Sequence, residues 1–417
     1  MIQAPKGTFD ILPDDVARRQ MLEGHAQRIL GAAGYQRIET PVFEPTELFS
    51  RGVGVATDIV QKEMYSFDDG GGRSLTLRPE GTAPVARAYI EHGMHKLPQP
   101  VKLWYLGCYF RAEAPQRGRY RQFWQVGAEV IGAAGPEADA EIIVMLAQLL
   151  DAAGVRRTRL RLASLGTPEA RAGYRAELTA YLRAHESELA LEVRDRIDLN
   201  PMRAFDASDP STRTVMAGAP RLLERLAADD LEHFASVRAL LDQVGLSYEI
   251  DTTLVRGLDY YTRTLFEFSS DALGAQSGVG GGGRYDRLIE QLGGRATAGV
   301  GFAAGVERIL LAGGEQPVPP AAVDLLVVGG EHGASEGRLA AFELANGVRR
   351  AGLAAQLELA GRSLKGALKH ADRLGARYVA IVTDGETVSL KNMESGQQRD
   401  LPIGSVVAEL LNETGTK

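Results

Sequence analysis

The stretch that most constrains the fold of this chain runs from Val101 to Gly132 and reads VKLWYLGCYFRAEAPQRGRYRQFWQVGAEVIG. Two runs rich in β-branched and aromatic residues flank a polar segment that contains Gly118, which is the pattern of a long antiparallel hairpin. The stretch therefore predicts an antiparallel pair of strands around which the rest of the chain is organised.

Polar side chains follow the tip and the second strand of this hairpin at alternating positions. Arg119, Arg121, Gln125 and Glu129 are all odd-numbered, so an extended strand would place most of them on one face. Arginine side chains can bind an anion and carboxylates can bind a cation, and the aromatic residues would provide an apolar surface beneath the ligand. Two interpretations remain open from this stretch alone, a charged surface hairpin and a ligand-binding face.

Length and composition indicate a globular chain. The 417 residues are enough for two or three domains with a large core. Hydrophobic residues make up 44% and charged residues 24%, which excludes a disordered protein. No apolar run reaches about 18 residues, and the N-terminal segment lacks the basic and apolar regions of a signal peptide. We therefore expect no membrane segment and a cytoplasmic protein.

Cysteine content and charge narrow the classes of site. Cys108 is the only cysteine, which excludes an internal disulfide framework and a cysteine-cluster zinc site, and we expect it to be a buried thiol. The net charge of −7 argues against indiscriminate binding of polyanions. Basic residues are nevertheless clustered, with five Lys and Arg against two Glu in 101–132 and five against one acidic residue in 361–377. This patchiness suits a selective contact with nucleic acid.

Two motifs carry polar residues at the ends of predicted elements. In LRPEGTA, residues 77–83, a strand meets a helix whose candidate N-cap is Thr82, so Glu80 would face a cleft. A capping or surface carboxylate is the alternative for Glu80. The motif RGLDYYTRTLFEF, which begins at Arg256, reads as part of a strand.

Glycines form a third motif, SGVGGGGRYD. The run from Gly278 to Gly283 matches the dinucleotide pattern GxGxxG, but no βαβ unit surrounds it and it lacks the GKS or GKT ending of a phosphate-binding loop. We instead expect these glycines to let the backbone pass close to a ligand.

Residues of about 166–225 lie between the motifs and have a helical, charged composition. Thr167 precedes a proline and is expected to cap the first helix of this helical insertion. A helix predicted from Asp230 to Val244 then returns the chain to the main body. Its apolar stripe is expected to contain Leu231, Phe234, Val237, Leu240, Leu241 and Val244.

The hydrophobic residues of the C-terminal part of the chain recur with a different spacing. The proline-rich segment 313–323 reads as a linker. Beyond it, short apolar runs alternate with helical stretches, which predicts a small α/β domain over residues 323–417. One predicted helix carries basic residues on one face and Leu364 on the opposite, apolar face. The basic residues are Arg362, Lys365, Lys369 and Arg373.

Together these motifs resemble the class II aminoacyl-tRNA synthetases, and among them the histidyl-tRNA synthetase family. The hairpin is similar to the second signature motif of the class, and LRPEGTA, RGLDYYTRTLFEF, GGGGRYDRLIEQLGG and GVGFAAGVERILL complete the resemblance over nearly the whole chain. It implies an α/β protein with an α+β catalytic domain over residues 1–318, built on an antiparallel sheet flanked by helices. The helical insertion at about 166–225 and an anticodon-binding domain over 323–417 complete the implied fold.

The resemblance also implies a reaction, in which ATP activates L-histidine before its transfer to the tRNA for histidine. Arg111 and Arg256 are then the expected catalytic residues, because both would hold the α-phosphate. The implied ATP-binding residues are Arg111, Glu113, Arg121, Phe123 and Arg308. The implied histidine-binding residues are Glu80, Gly81, Thr82, Arg111, Gln125, Glu129, Arg256, Tyr260, Tyr261 and Tyr285.

Partners follow from the same resemblance. We expect a homodimer whose interface contains the first signature motif around Pro41, Mg²⁺ accompanying ATP, and no dedicated metal site. The expected contacts with tRNA are Gln116, Arg119, Arg362, Lys365, Lys369 and Arg373. The alternative is a paralogue that does not charge tRNA, the regulatory subunit of ATP phosphoribosyltransferase. A tRNA-binding module without catalysis would need neither the arginines nor an imidazole pocket.

Overall fold

A computed structural model describes residues 2–55, 57–274, 277–314, 323–329, 335–383 and 385–414. The chain divides into two compact units, Met1–Gln316 and Pro317–Lys417. This boundary falls within the predicted linker 313–323, of which residues 315–322 lie outside the described residues.

Eleven strands are described in the first unit. They are β1 (Gln36–Arg37), β2 (Phe43–Pro45), β3 (Tyr65–Asp68), β4 (Ser74–Leu77), β5 (Val101–Phe110), β6 (Gln122–Ile131), β7 (Thr158–Ser164), β8 (Glu249–Ile250), β9 (Thr262–Ser270), β10 (Gly278–Arg284) and β11 (Gly299–Gly305). Eight of them form one sheet in the order β1-β5-β6-β11-β10-β9-β7-β8, and β2, β4 and β3 form a smaller sheet. Neighbouring strands of the large sheet are antiparallel except at its two edges. There, β1 pairs in parallel with β5, and β8 pairs in parallel with β7. The predicted antiparallel sheet is therefore confirmed.

The predicted hairpin is formed by β5 and β6. Its register runs from Val101 opposite Ile131 to Phe110 opposite Gln122. Gly118 lies at the tip with a φ of 78°, a backbone conformation that glycine adopts without steric cost. The β-branched and aromatic runs thus specify both strands, and the polar segment forms the connection.

Ten helices of the first unit are described. They are α1 (Pro13–Ala32), α2 (Thr46–Gly52), α3 (Thr82–Glu91), α4 (Pro136–Ala152), α5 (Pro168–Ala184), α6 (Leu191–Arg194), α7 (Pro210–Ala217), α8 (Ala228–Gln243), α9 (Leu288–Gln291) and α10 (Val306–Gly313). As predicted, the Thr167 hydroxyl caps α5 by accepting from the Ala170 N–H. Helices α5 to α7 occupy the segment that the sequence marked as a helical insertion.

The large sheet separates two hydrophobic layers. One face packs against α1, α4, α8 and α10, in a core that includes Leu30, Ile142 and Phe234. The opposite face carries an aromatic layer with Tyr105 and Tyr285, packed against α3 and the helical insertion. The polar side chains of the candidate site lie on this second face.

Several expectations about the first unit were wrong. The predicted strand begins only at Thr262, so RGLDYY lies before β9 and Arg256 is in an irregular segment, although its residues have the composition of a strand. Leu231 and Val244 are 43% and 61% exposed because they lie at the ends of α8, outside its packed stripe. Cys108 is only partly buried.

The second unit is a five-stranded sheet with helices on both faces. Its strands are β12 (Val323–Gly329), β13 (Ala355–Leu357), β14 (Ala376–Val382), β15 (Thr387–Asn392) and β16 (Gln398–Pro402), in the order β13-β12-β14-β15-β16. Its helices are α11 (Ser335–Arg350), α12 (Leu364–Leu374) and α13 (Val406–Thr414). The strands β12 to β14 are parallel, as expected from their apolar runs. The antiparallel strands β15 and β16 were not predicted, because polar residues interrupt their hydrophobic pattern.

Helix α12 differs from its prediction in two respects. Arg362 precedes the helix and forms an ion pair with Glu358, with 2.8 Å between Nη1 and Oε2. Leu364 is 46% exposed, and the buried residues of the helix are Ala367 and Ala371. The apolar face is therefore narrower than the sequence pattern indicated.

Candidate active site

A buried carboxylate occupies the middle of the aromatic face. Glu129, on β6, is fully buried and receives hydrogen bonds from three hydroxyl groups. Thr82 Oγ1 lies 2.8 Å and Tyr105 Oη 3.2 Å from its Oε1, and Tyr285 Oη lies 2.7 Å from its Oε2. Residues of α3, β5, β6 and the segment after β10 thus converge on a single acidic group.

Burial dominates the protonation of this group. It raises the pKa of Glu129 to about 8, although the hydroxyl donors of Tyr285, Thr82 and Tyr105 each lower it. Without a ligand, this carboxyl group therefore keeps its proton to a higher pH than an ordinary glutamate does. A cation or a strong N–H donor entering the pocket would favour the ionised form.

A second buried carboxylate, Glu80, lies at the start of α3. Its two oxygens accept hydrogen bonds from the N–H groups of Thr82, at 2.8 Å, and Ala83, at 2.9 Å, and Tyr260 Oη lies 3.4 Å away. Glu80 therefore caps the helix, and the prediction that Thr82 does so was wrong, because its hydroxyl is directed to Glu129 instead. Burial raises the pKa of Glu80 despite these contacts.

Tyrosine rings enclose the space around both carboxylates. The ring centroid of Tyr260 lies 4.8 Å from that of Tyr261 and 5.9 Å from that of Tyr285, and all three residues are buried. Gln125 belongs to the same strand face as Glu129, and its buried Oε1 has no hydrogen-bond partner among the described residues. The pocket therefore offers unused polar capacity to a ligand.

Glycines leave room for these side chains. A Cβ at Gly301 would lie 1.7 Å from Glu129 Oε2, and one at Gly127 would lie 2.3 Å from the ring of Tyr105. A Cβ at Gly283, in the glycine run, would lie 2.9 Å from the ring of Tyr261. The glycine run thus forms a strand of the sheet and leaves room for neighbouring side chains of the candidate site. That its backbone also lies close to a ligand stays a prediction.

Arginines lie around the pocket. Arg111 Nε donates to the carbonyl oxygen of Pro79 at 2.9 Å, and its guanidinium lies 5.4 Å from the centroid of the Phe123 ring. Arg256 Nη1 lies 2.7 Å from Oε2 of Glu267. Arg308, on α10, donates from Nε to the carbonyl oxygen of Gly278 on β10. Three separate segments of the first unit thus each contribute a guanidinium group.

Charged residues at the hairpin tip contact one another. Arg119 Nη1 lies 3.3 Å from Glu113 Oε2, and Arg121 Nε donates to the Glu113 carbonyl oxygen at 3.3 Å. Gln116 and Arg119 form an isolated backbone bridge. The Arg121 N–H donates to the carbonyl oxygen of Gly7 at 2.8 Å, so the N-terminal segment packs on the tip.

Sequence reasoning missed two polar residues of this region. Tyr105 alternates with Leu103 and Tyr109 along β5, and this period could have placed it on the pocket face. Glu267 stands as a carboxylate between Phe266 and Phe268 in strand β9, a position that signals a charged partner.

The basic residues of the second unit form a separate group. Lys365 and Lys369 line an open groove on α12 together with Asp372 and Met393. In the described parts of the chain, no group of three or more His, Cys, Asp or Glu side chains is arranged to hold a metal ion. Nor does any helix among the described residues have the length and apolar character needed to cross a membrane.

Comparison with known proteins covers both units. A family model described as Histidyl-tRNA synthetase matches residues 7–309, and one described as Anticodon binding domain matches residues 324–413. The histidine–tRNA ligase of Acetivibrio thermocellus is 46% identical over 418 residues, which covers 98% of this chain and 99% of that protein. The enzyme of the same name from Halorhodospira halophila is 48% identical over 420 residues, with 98% and 97% covered.

Solved structures agree with these matches. The apo histidyl-tRNA synthetase of S. aureus has a TM-score of 0.80 and 35% identity, and the match covers 98% of this chain and 100% of that one. A Bacillus halodurans protein titled as an ATP phosphoribosyltransferase regulatory subunit/histidyl-tRNA synthetase has a TM-score of 0.65 at 24% identity, a likeness of fold alone. The curated relatives favour the synthetase over the regulatory subunit that the sequence left as the alternative. The chain belongs to the histidyl-tRNA synthetase family.

Proposed function

We propose that this chain activates L-histidine with ATP, giving histidyl-adenylate and pyrophosphate, and then transfers the histidyl group to the 3′ end of the tRNA for histidine. The observation that carries the proposal is Glu129, a fully buried carboxylate that accepts hydrogen bonds from the hydroxyl groups of Thr82, Tyr105 and Tyr285. Burial disfavours the ionised form of this acid, and a ligand with ring N–H groups would favour the ionised form that accepts hydrogen bonds.

Recognition of histidine rests on two carboxylates. Glu129 accepts one imidazole N–H, and the hydroxyl of Tyr261 meets the other ring nitrogen. Glu80 holds the α-ammonium group with Thr82, since its raised pKa falls when a cation approaches. A pocket with these buried polar groups rejects amino acids that lack two ring nitrogens, because its groups would stay unpaired. Gly81, Gln125, Tyr260 and Tyr285 complete the proposed histidine site.

Activation proceeds by in-line attack of a histidine carboxylate oxygen on the α-phosphorus. The bond from that phosphorus to the bridging oxygen breaks, and pyrophosphate leaves with the electron pair. Arg111 and Arg256 hold the α-phosphate and Arg308 the γ-phosphate, so charge is stabilised where it develops. Phe123 stacks on adenine, and Glu113 and Arg121 lie at its edge. The face of Phe123 next to Arg111 supports this assignment.

ATP enters as its magnesium complex, in which phosphate oxygens and water supply most of the metal's ligands. The second unit binds the anticodon region, with Arg362, Lys365, Lys369 and Arg373 contacting phosphates. Gln116 and Arg119 at the hairpin tip meet the other end of the tRNA. The catalytic domain is assigned to residues 1–318, with its helical insertion at about 166–225, and the anticodon-binding domain to 323–417.

A homodimer in the cytoplasm is the proposed working form. Its interface contains the small sheet near Pro41, where Phe43 and Phe67 are 51% and 45% exposed. Their ring centroids lie 6.3 Å apart, so they form one apolar patch. Light scattering at micromolar concentration tests this part of the proposal, and a monomer would contradict it.

Exchange of label between pyrophosphate and ATP tests the reaction. Exchange that requires L-histidine, and no other amino acid, is expected from the first step alone. Attachment of labelled histidine to the tRNA for histidine tests the second step. Exchange without dependence on histidine would sink the proposed substrate, and activation without charging would limit the proposal to its first step.

A further inference from the structure

Glu267 is the carboxylate that contacts Arg256. Its side chain is 17% exposed, and its two oxygens face different arginines. Oε2 lies 2.7 Å from Arg256 Nη1, and Oε1 accepts a hydrogen bond from Arg161 Nη2. One partly buried carboxylate is therefore shared between an arginine of the proposed active site and an arginine of strand β7.

Arg161 is itself held from its other side. Its Nη1 lies 3.1 Å from Asp251 Oδ2, and Asp251 also accepts hydrogen bonds from the Thr253 N–H and hydroxyl, at 2.9 and 2.6 Å. Negative and positive side chains therefore alternate in the order Asp251, Arg161, Glu267 and Arg256. Burial raises the pKa of Glu267, but Arg256 and Arg161 more than offset it, so the carboxylate stays ionised.

Little space surrounds the pair. A Cβ at Gly281 would lie 3.0 Å from Arg256 Nη1, and a Cβ at Gly278 would lie 3.4 Å from Glu267 Cδ. The glycines of β10 thus leave room for the side chains of Arg256 and Glu267, and the closeness of the β10 backbone restricts the other conformations that these side chains could adopt. Only Nη1 of Arg256 contacts Glu267, and the planar guanidinium has four further N–H groups for a ligand.

We propose that Glu267 is a positioning residue for Arg256, and that Arg161 in turn holds Glu267. This inference rests on the proposed function, in which Arg256 contacts the α-phosphate. An arginine fixed before ATP arrives loses little side-chain entropy during the reaction, so its charge stabilises the transition state without reorganisation. Because Arg161 shares the carboxylate, Glu267 orients Arg256 without neutralising it fully.

The test measures the single-turnover rate of adenylate formation for Glu267→Gln in two backgrounds. In the wild-type background the rate should fall roughly 10- to 100-fold, with the KM values for histidine and ATP changed less than about threefold. In the Arg256→Ala background the same substitution should change the rate less than about twofold, because its effect passes through Arg256. Arg161→Gln, at a position with a 37% exposed side chain, should show a smaller loss with the same dependence on background.

Asp271→Asn is the matched control, since Asp271 forms the neighbouring ion pair with Arg159 between the same two strand regions. It should leave the rate unchanged. Equal losses for Glu267→Gln in both backgrounds, a loss confined to KM, or a rate increase would overturn the positioning role. If Glu267→Gln does not fold, Arg161→Gln alone decides between these outcomes. If the wild type forms adenylate in a histidine-dependent reaction, any of these contradicting results refutes only the positioning role of Glu267. If the wild type shows no histidine-dependent adenylation, the proposed function itself is refuted.

Discussion

The hydroxyl of Tyr285 lies 2.7 Å from Oε2 of Glu129, and both residues are almost completely buried. This contact joins the segment after the glycine strand to the second strand of the hairpin, which are far apart in sequence but separated by one strand in the sheet. Because Tyr285 donates to Oε2 while Thr82 and Tyr105 donate to Oε1, the orientation of the carboxylate is defined from both sides. A ligand therefore meets a side chain whose orientation is already fixed.

Removing the charge of this acceptor should impair activation of histidine. Glu129→Gln keeps the size of the side chain, and loss of a hydrogen bond to a charged group should reduce histidine-dependent exchange roughly 10- to 100-fold, or about 1.5–3 kcal/mol. The KM for ATP should change little. Glu141→Gln is a suitable control, because Glu141 also pairs with a tyrosine hydroxyl, that of Tyr35, outside the site. Equal effects of the two substitutions would place the imidazole pocket elsewhere.

The same carboxyl should make stability depend on pH. Its pKa is about 8 in the folded protein against an ordinary value of 4.5, so the folded state keeps the proton to a higher pH than the unfolded chain does. The resulting stabilisation is present below pH 4.5 and is lost as the pH rises to about 8. From pH 5 to pH 9, Glu129→Gln should therefore gain roughly 3–5 kcal/mol of stability relative to the wild type without ligand.

Urea unfolding followed by tryptophan fluorescence measures this effect. Both tryptophans, Trp104 and Trp124, lie on the hairpin, so the signal reports the first unit. Parallel pH profiles for the wild type and Glu129→Gln would contradict the raised pKa. Added histidine should shift the wild-type profile, because an N–H donor favours the ionised carboxylate.

A small side chain at Gly301 should displace the acceptor. The Cβ of alanine would lie 1.7 Å from Glu129 Oε2, on a strand whose backbone is held on both sides. Gly301→Ala should raise the KM for histidine at least about tenfold or destabilise the first unit by roughly 1–3 kcal/mol. Gly31→Ala, in helix α1 with no atom within 4 Å of the new Cβ, should instead be neutral or stabilising. Steady-state kinetics and unfolding of both variants check this, and wild-type behaviour of Gly301→Ala would refute it.

Arg256 should act mainly in the transition state. Arg256→Ala should lower the rate of adenylation by roughly 10²–10³, or about 3–4 kcal/mol, while binding of histidine and ATP weakens much less. Arg256→Lys should restore part of the rate, because lysine supplies charge without the planar fork. Transfer from preformed adenylate should suffer less, since pyrophosphate has already left.

Pre-steady-state measurements separate the two steps for Arg256. Arg159→Ala provides a control, because Arg159 forms an exposed ion pair with Asp271 outside the proposed site. If ground-state binding and rate fall by the same factor for Arg256→Ala, Arg256 has a structural role and the proposed mechanism is wrong.

Much of the fold was predictable because its signals are local. The hairpin followed from the β-branched and aromatic runs around Gly118, and the cap at Thr167 followed from a proline at the next position. The irregular segment that contains Arg256 was not predictable, because its residues have the composition of a strand. Strand β15 was missed because polar residues interrupt its hydrophobic pattern, and β16 was missed because nearly all of its residues are exposed.

The family, the antiparallel sheet and the residues available for the site could all be inferred from the order of the amino acids. Motif order and side-chain period are properties of the chain that persist without any contact between distant segments. Three properties became apparent from the folded arrangement alone: Glu80 caps α3, burial raises the pKa of Glu129, and Glu267 contacts Arg256. These properties depend on burial and on neighbours brought together by the order of strands in the sheet, about which spacing along the chain carries no information.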